Sequence, residues 1–99
     1  MRIVEMFPRE ESTVTFLETD LQSYFQGEEK ILQFSLGDKK YSFLCHQDGV
    51  QTRNSEVKAL YGPVVVCSEQ LQGLSEEEAN LVMRYMNNNE FELSNITLH

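Results

Sequence analysis

The chain has no tryptophan, two cysteines, two prolines, and eight lysines and arginines against sixteen carboxylates. Each shortage excludes something. With only Cys45 and Cys67, a scaffold stapled by several disulfides is excluded, and in a reducing compartment both are expected as buried thiols. The excess of carboxylates gives a net charge of −8, a surface that repels nucleic acid and anionic membrane and attracts basic partners. No apolar run is long: Val64-Val65-Val66-Cys67 is typical, far short of the roughly 18 residues of a membrane span. Residues 1–7 are apolar but interrupted by Glu5, too short for a signal-peptide core. A cytoplasmic protein with no membrane partner is therefore expected.

The five glycines stand apart, at positions 27, 37, 49, 62 and 73. They form neither a phosphate-binding loop nor a dinucleotide fingerprint, so no nucleotide cofactor is expected. Cys45, His46, Cys67 and His99 are the residues to consider for zinc. Cys45 and His46 are adjacent on a predicted strand, where neighbouring side chains point to opposite faces. That argues against a shared ion and against a Cys45–His46 catalytic pair, so no metal, no cofactor and no enzyme activity are expected. A small enzyme using His46 and Cys67 stands as a third reading.

What is present reads as one domain over residues 1–99, 40% apolar and 24% charged, as in ordinary globular chains. Residues 1–7 and 14–17 read as strands, the latter β-branched and aromatic. A rival reading runs a helix through 12–26, with Val14, Leu17, Leu21 and Phe25 as its stripe. The preferred reading is a strand followed by a short helix from Leu21, capped by Thr19 or Asp20 and stopped at Gly27. Residues 31–36 and 40–46 alternate about Gly37, the signature of a hairpin. Asp48-Gly49 is a turn, and 51–60 reads as the longest loop. Val64 to Cys67 lacks polar alternation, so both faces of that strand are expected to be covered. Ser75 and Glu78 form a capping box, and Ala79, Val82, Met83 and Met86 make one apolar helix face. Asn87-Asn88-Asn89 ends the helix. Phe91, Leu93, Ile96 and Leu98 suggest a last strand at an edge. The fold class is α+β: a small, mostly antiparallel sheet with one short and one longer helix packed on it.

The acidic residues gather at Glu10-Glu11, Asp20, Glu28-Glu29 and Glu76-Glu77-Glu78. Duplex DNA carries one negative charge per roughly 1.7 Å of axis, and a rigid acidic surface imitates that array for a basic groove. Asp20, Glu28, Glu29, Glu76, Glu77 and Glu78 are thus the expected partner-binding residues, and a nucleic-acid-binding nuclease is the kind of partner expected. Solubility and helix capping compete as explanations of the same residues. Direct nucleic-acid binding would rest on Lys39-Lys40 beside Tyr41 and Phe43, and the overall charge opposes it. A protein–protein adaptor is the alternative, through the edge of the last strand or through Tyr85 and Met86.

Cys45-His46-Gln47-Asp48-Gly49, Arg53-Asn54, Gly62-Pro63-Val64-Val65-Val66 and Leu74-Ser75-Glu76-Glu77-Glu78, with Asp20-Leu21-Gln22 to Gly27 in the same layout, resemble an uncharacterised family of small phage and mobile-element domains. The resemblance implies a mobile-element origin and no enzymatic activity. It also implies a counter-defence role of the anti-CRISPR kind, and it supplies no catalytic residues.

Overall fold

A computed structural model describes residues 1–7, 10–54, 56–88 and the backbone of 96–98. Its strands are β1 (Arg2–Met6), β2 (Thr13–Phe16), β3 (Glu29–Leu36), β4 (Lys39–His46), β5 (Val50–Arg53), β6 (Glu56–Leu60), β7 (Val64–Ser68) and β8 (Ile96–Leu98). The helices are α1 (Leu21–Tyr24) and α2 (Glu76–Asn87). The α+β class is as expected. Five antiparallel strands in the order β2-β1-β7-β4-β3 form the main sheet. β8 adds to β3, and the β5–β6 hairpin joins β8 through the single pair Glu56↔Thr97.

Alternation along the strands divides the core into two layers. Val4, Leu32, Phe34, Tyr41, Phe43, Cys45, Val64 and Val66 face one side, where Ala79, Val82 and Met86 of α2 cover them. Ile3, Leu44, Val65 and Cys67 face the other side, under Phe25 and the half-buried Leu21 and Tyr24. β7 is therefore buried on both faces, as its unbroken apolar run predicts. Phe34 is fully buried, its ring 5.8 to 6.5 Å from those of Tyr85, Tyr41 and Phe43.

The short-helix reading holds over its rival. Asp20 caps α1, its Oδ1 accepting the Ser23 N–H at 2.6 Å, and Gly27 at φ +77° ends the turn. In α2, Ser75 Oγ accepts the Glu78 N–H at 3.1 Å. The return bond of the capping box differs from expectation, because the Ser75 hydroxyl, and not its backbone, donates to Glu78 Oε1. Asn87 both closes α2 and holds Ser12, the residue that leads into β2. Its Oδ1 accepts from Ser12 N–H and Oγ–H, and its Nδ2 donates to the Ser12 carbonyl.

Two expectations are corrected. Residues 51–60 are mostly the β5–β6 hairpin, with Asn54 at φ 54° in its turn and a bulge at Gln51/Thr52. One face is exposed and polar while Val57 and the half-buried Val50 and Leu60 pack into the α2-side core, so the apolar signal is thin. The last strand is not an edge: β8 lies between β3 and β6, and the edges are β2 and β5. Phe91, Leu93 and His99 lie outside the described residues. No described helix is long and apolar enough to cross a membrane.

Candidate partner-binding surface

The expected binding residues do not form one patch. Asp20, Glu28 and Glu29 lie at the α1 end of the sheet, whereas Glu76, Glu77 and Glu78 form the first turn of α2. Glu29 pairs with His46 at one end of the β3–β4 hairpin, and Leu36 pairs with Lys39 at the other. Seven strand steps, about 23 Å, separate these ends. Glu78 meets Lys39 Nζ and the Tyr41 hydroxyl, each at 3.4 Å, at the far end and on the α2 side. The negative charges of these six residues therefore diverge, and among the described residues no continuous phosphate-like track joins them.

At the helix end the charges are mixed. Lys39 and Lys40 stand beside Glu69 and Glu78 around a shallow cleft. Burial works against ionisation of Glu78, but hydrogen bonds from Ser75 and the Lys39 charge together hold its carboxyl below the usual range. Tyr41 and Phe43 are buried, so they offer no face for stacking a base.

At the α1 end, three turns meet. Asp48 N–H donates to His46 Nδ1 at 3.1 Å. A backbone N–H can only donate, so Nδ1 accepts and the neutral imidazole carries its proton on Nε2. That proton is donated to Glu28, with Nε2 to Oε2 at 2.6 Å. Glu28, His46 and Asp48 are the one group of described side chains close enough together to hold a cation. Their carboxylates approach opposite ring nitrogens, and both nitrogens already have partners within the protein.

Next to this bridge lies an open cleft of about 430 Å³, lined by Tyr24, Phe25, Gln26, His46, Asp48, Gly49, Tyr61, Gly62 and Pro63. The volume falls in the lower part of the roughly 300–1,000 Å³ of ligand-sized sites. Its shape depends on two glycines. A Cβ on Gly49 would sit 2.3 Å from the Tyr61 carbonyl oxygen, so only glycine lets the 61–63 segment close on this turn, where Tyr61 N–H donates to the Gly49 carbonyl at 2.6 Å. Gly62 takes φ +83°, which turns the chain into β7. One aromatic wall is fixed because the Tyr24 hydroxyl donates to Glu5 Oε2 at 2.6 Å. Burial and the Glu5 carboxylate push its ionisation well above the usual tyrosine range. Tyr61, by contrast, is 58% exposed. No lysine or arginine is among the described residues lining the cleft.

The thiols are placed as the sequence suggests. Cys45 and Cys67 are free and buried on opposite faces of the sheet. Burial raises both, Cys67 to about 12. Cys67 pairs with Ser42 on β4, four strand steps and about 13 Å from His46, so these two are not within reach of each other. Met86 is buried and the half-buried Tyr85 packs on Phe34, so of the helix face suggested for an adaptor only part of Tyr85 reaches solvent.

No protein-family model matches the chain, and no curated protein or solved structure matches it.

Proposed function

We propose that this chain is a non-enzymatic binding protein that blocks a basic surface of a nucleic-acid-handling protein, with the α1 end as its contact face. One observation carries the reading. An aromatic cleft opens beside the exposed carboxylates of Glu28 and Asp48, and no cationic side chain is among its described lining residues. Asp20 adds a third carboxylate at the start of α1, held ionised by the Ser23 N–H. Such a face attracts cations at long range, speeds association with a basic partner and loses strength with salt. Glu76, Glu77 and Glu78 contribute to the overall field while serving α2 and Lys39 locally. The resemblance to phage and mobile-element domains supports a host nuclease as the target and an anti-CRISPR-like role. The split of the charges favours a local acidic contact over imitation of a long DNA track.

The test is capture from lysate on the immobilised protein at low and high salt. A nuclease or other nucleic-acid-binding protein that is held at low salt and released at high salt supports the reading. Salt-resistant capture of a different class of protein, or self-association alone, overturns it in favour of an adaptor using the β2 edge, where Phe16 is 65% exposed.

A further inference from the structure

We infer that the cleft at the α1 end receives one arginine side chain of the partner, stacked on Tyr61 and paired with Asp48. This rests on the binding function proposed above and assigns its chemistry to a defined site. Two features of the cleft select the occupant. The first is its aromatic lining: the Tyr61 ring is more than half exposed, while Tyr24 and Phe25 form a fixed wall with ring centroids 4.7 Å apart. A planar guanidinium stacks on such faces and keeps its hydrogen-bond donors free at its edge.

The second is an uncommitted carboxylate. Glu28 is held by His46 Nε2–H, but the Asp48 side chain is 84% exposed and lies 3.9 Å from His46 Nδ1. That nitrogen accepts a hydrogen bond from the Asp48 N–H, so it gives the carboxylate no proton. Asp48 can therefore take a bidentate pair with guanidinium. A phosphate or carboxylate ligand would meet repulsion from Glu28 and Asp48, and an uncharged apolar ligand would leave Asp48 unused.

The inference is tested by titrating the isotope-labelled full chain with acetyl-glycyl-arginyl-glycinamide and following amide chemical shifts. The citrulline peptide, equal in shape and uncharged, is the control. Expected are saturable shifts at Gln26, Gly49, Tyr61 and Gly62, absent with citrulline and weakened about tenfold in Asp48→Asn and in Tyr61→Leu. Both positions are exposed, and an unchanged spectrum elsewhere shows that each variant is folded. No shifts, equal shifts from citrulline, or shifts confined to residues 76–78 overturn the inference. Its failure is separable from failure of the proposed function. Salt-sensitive capture of a nuclease by a chain that ignores the arginine peptide sinks the cleft assignment alone. Arginine binding in the cleft without capture of any basic partner sinks the proposed function alone.

Discussion

The two ends of the β3–β4 hairpin both carry carboxylates, yet they use them differently. At the α2 end the charges serve the fold: Ser75 and Glu78 cap the helix, and Lys39 balances Glu78. At the α1 end the bridge through His46 uses Glu28 and leaves Asp48 open to solvent beside an aromatic cleft. Acidity alone therefore does not mark a contact face. What marks it is acidity without local counter-charge, placed on a rigid concave surface.

The comparison can be broken most severely through its glycines. Gly49→Ala forces a methyl group onto the Tyr61 carbonyl and is expected to cost about 3 kcal/mol, measured by urea denaturation, with loss of the cleft. Gly73→Ala, where the added carbon meets Met1 Cβ at 3.0 Å and Arg2 N at 3.1 Å, is expected to cost only about 1 kcal/mol, because the backbone at Met1 and Arg2 needs to shift by only a few tenths of an ångström. Equal costs would mean that the α1 end is not the more tightly constrained.

A smaller effect sharpens the helix end. Ser75→Ala removes the cap of α2 and is expected to cost about 1 kcal/mol, with partner binding unchanged; the thermal midpoint and the binding isotherm read the two separately. Acid should act at the same end. Because the folded carboxyl of Glu78 lies below its ordinary value, its contribution is present above that value and lost as pH falls through the folded one. Ser75→Ala should shrink this acid-side loss.

A further effect is alkaline. Cys67 is raised from 9.0 to about 12, so its contribution is full below 9 and declines as pH rises toward 12, where only the unfolded chain ionises at first. Denaturation midpoints across that range should fall less steeply in Cys67→Val, with Tyr24 supplying part of the remaining slope.

Much of the fold was legible in the sequence because burial leaves a period. Tyr41, Phe43 and Cys45 alternate into one core layer, and Ala79, Val82 and Met86 recur at helical spacing. The β5–β6 hairpin was not legible, since its exposed face is polar and a bulge breaks its alternation. The position of β8 was equally hidden, because pairing between distant strands leaves no local mark. Asp20, Glu28 and Glu29 were recognisable as acidic positions, but their separation from Glu76, Glu77 and Glu78 is a property of topology. The cleft draws on residues 24–26, 46–49 and 61–63, which read alone as the end of a short helix, a turn and the lead-in to a strand. The available signal was the pairing of turn glycines with aromatics, Asp48-Gly49 with Tyr61-Gly62-Pro63.

The central claim is that the α1 end, and not the helix end, engages a basic partner. Its most direct test compares Glu28→Gln/Asp48→Asn with Glu76→Gln/Glu77→Gln, two variants of equal net charge, in salt-dependent capture of nucleic-acid-binding proteins. Loss of at least about tenfold in affinity for the first pair, about 1.4 kcal/mol, with the second within about twofold of wild type, is the predicted result. Equal losses in both, or the larger loss at the helix end, would contradict it.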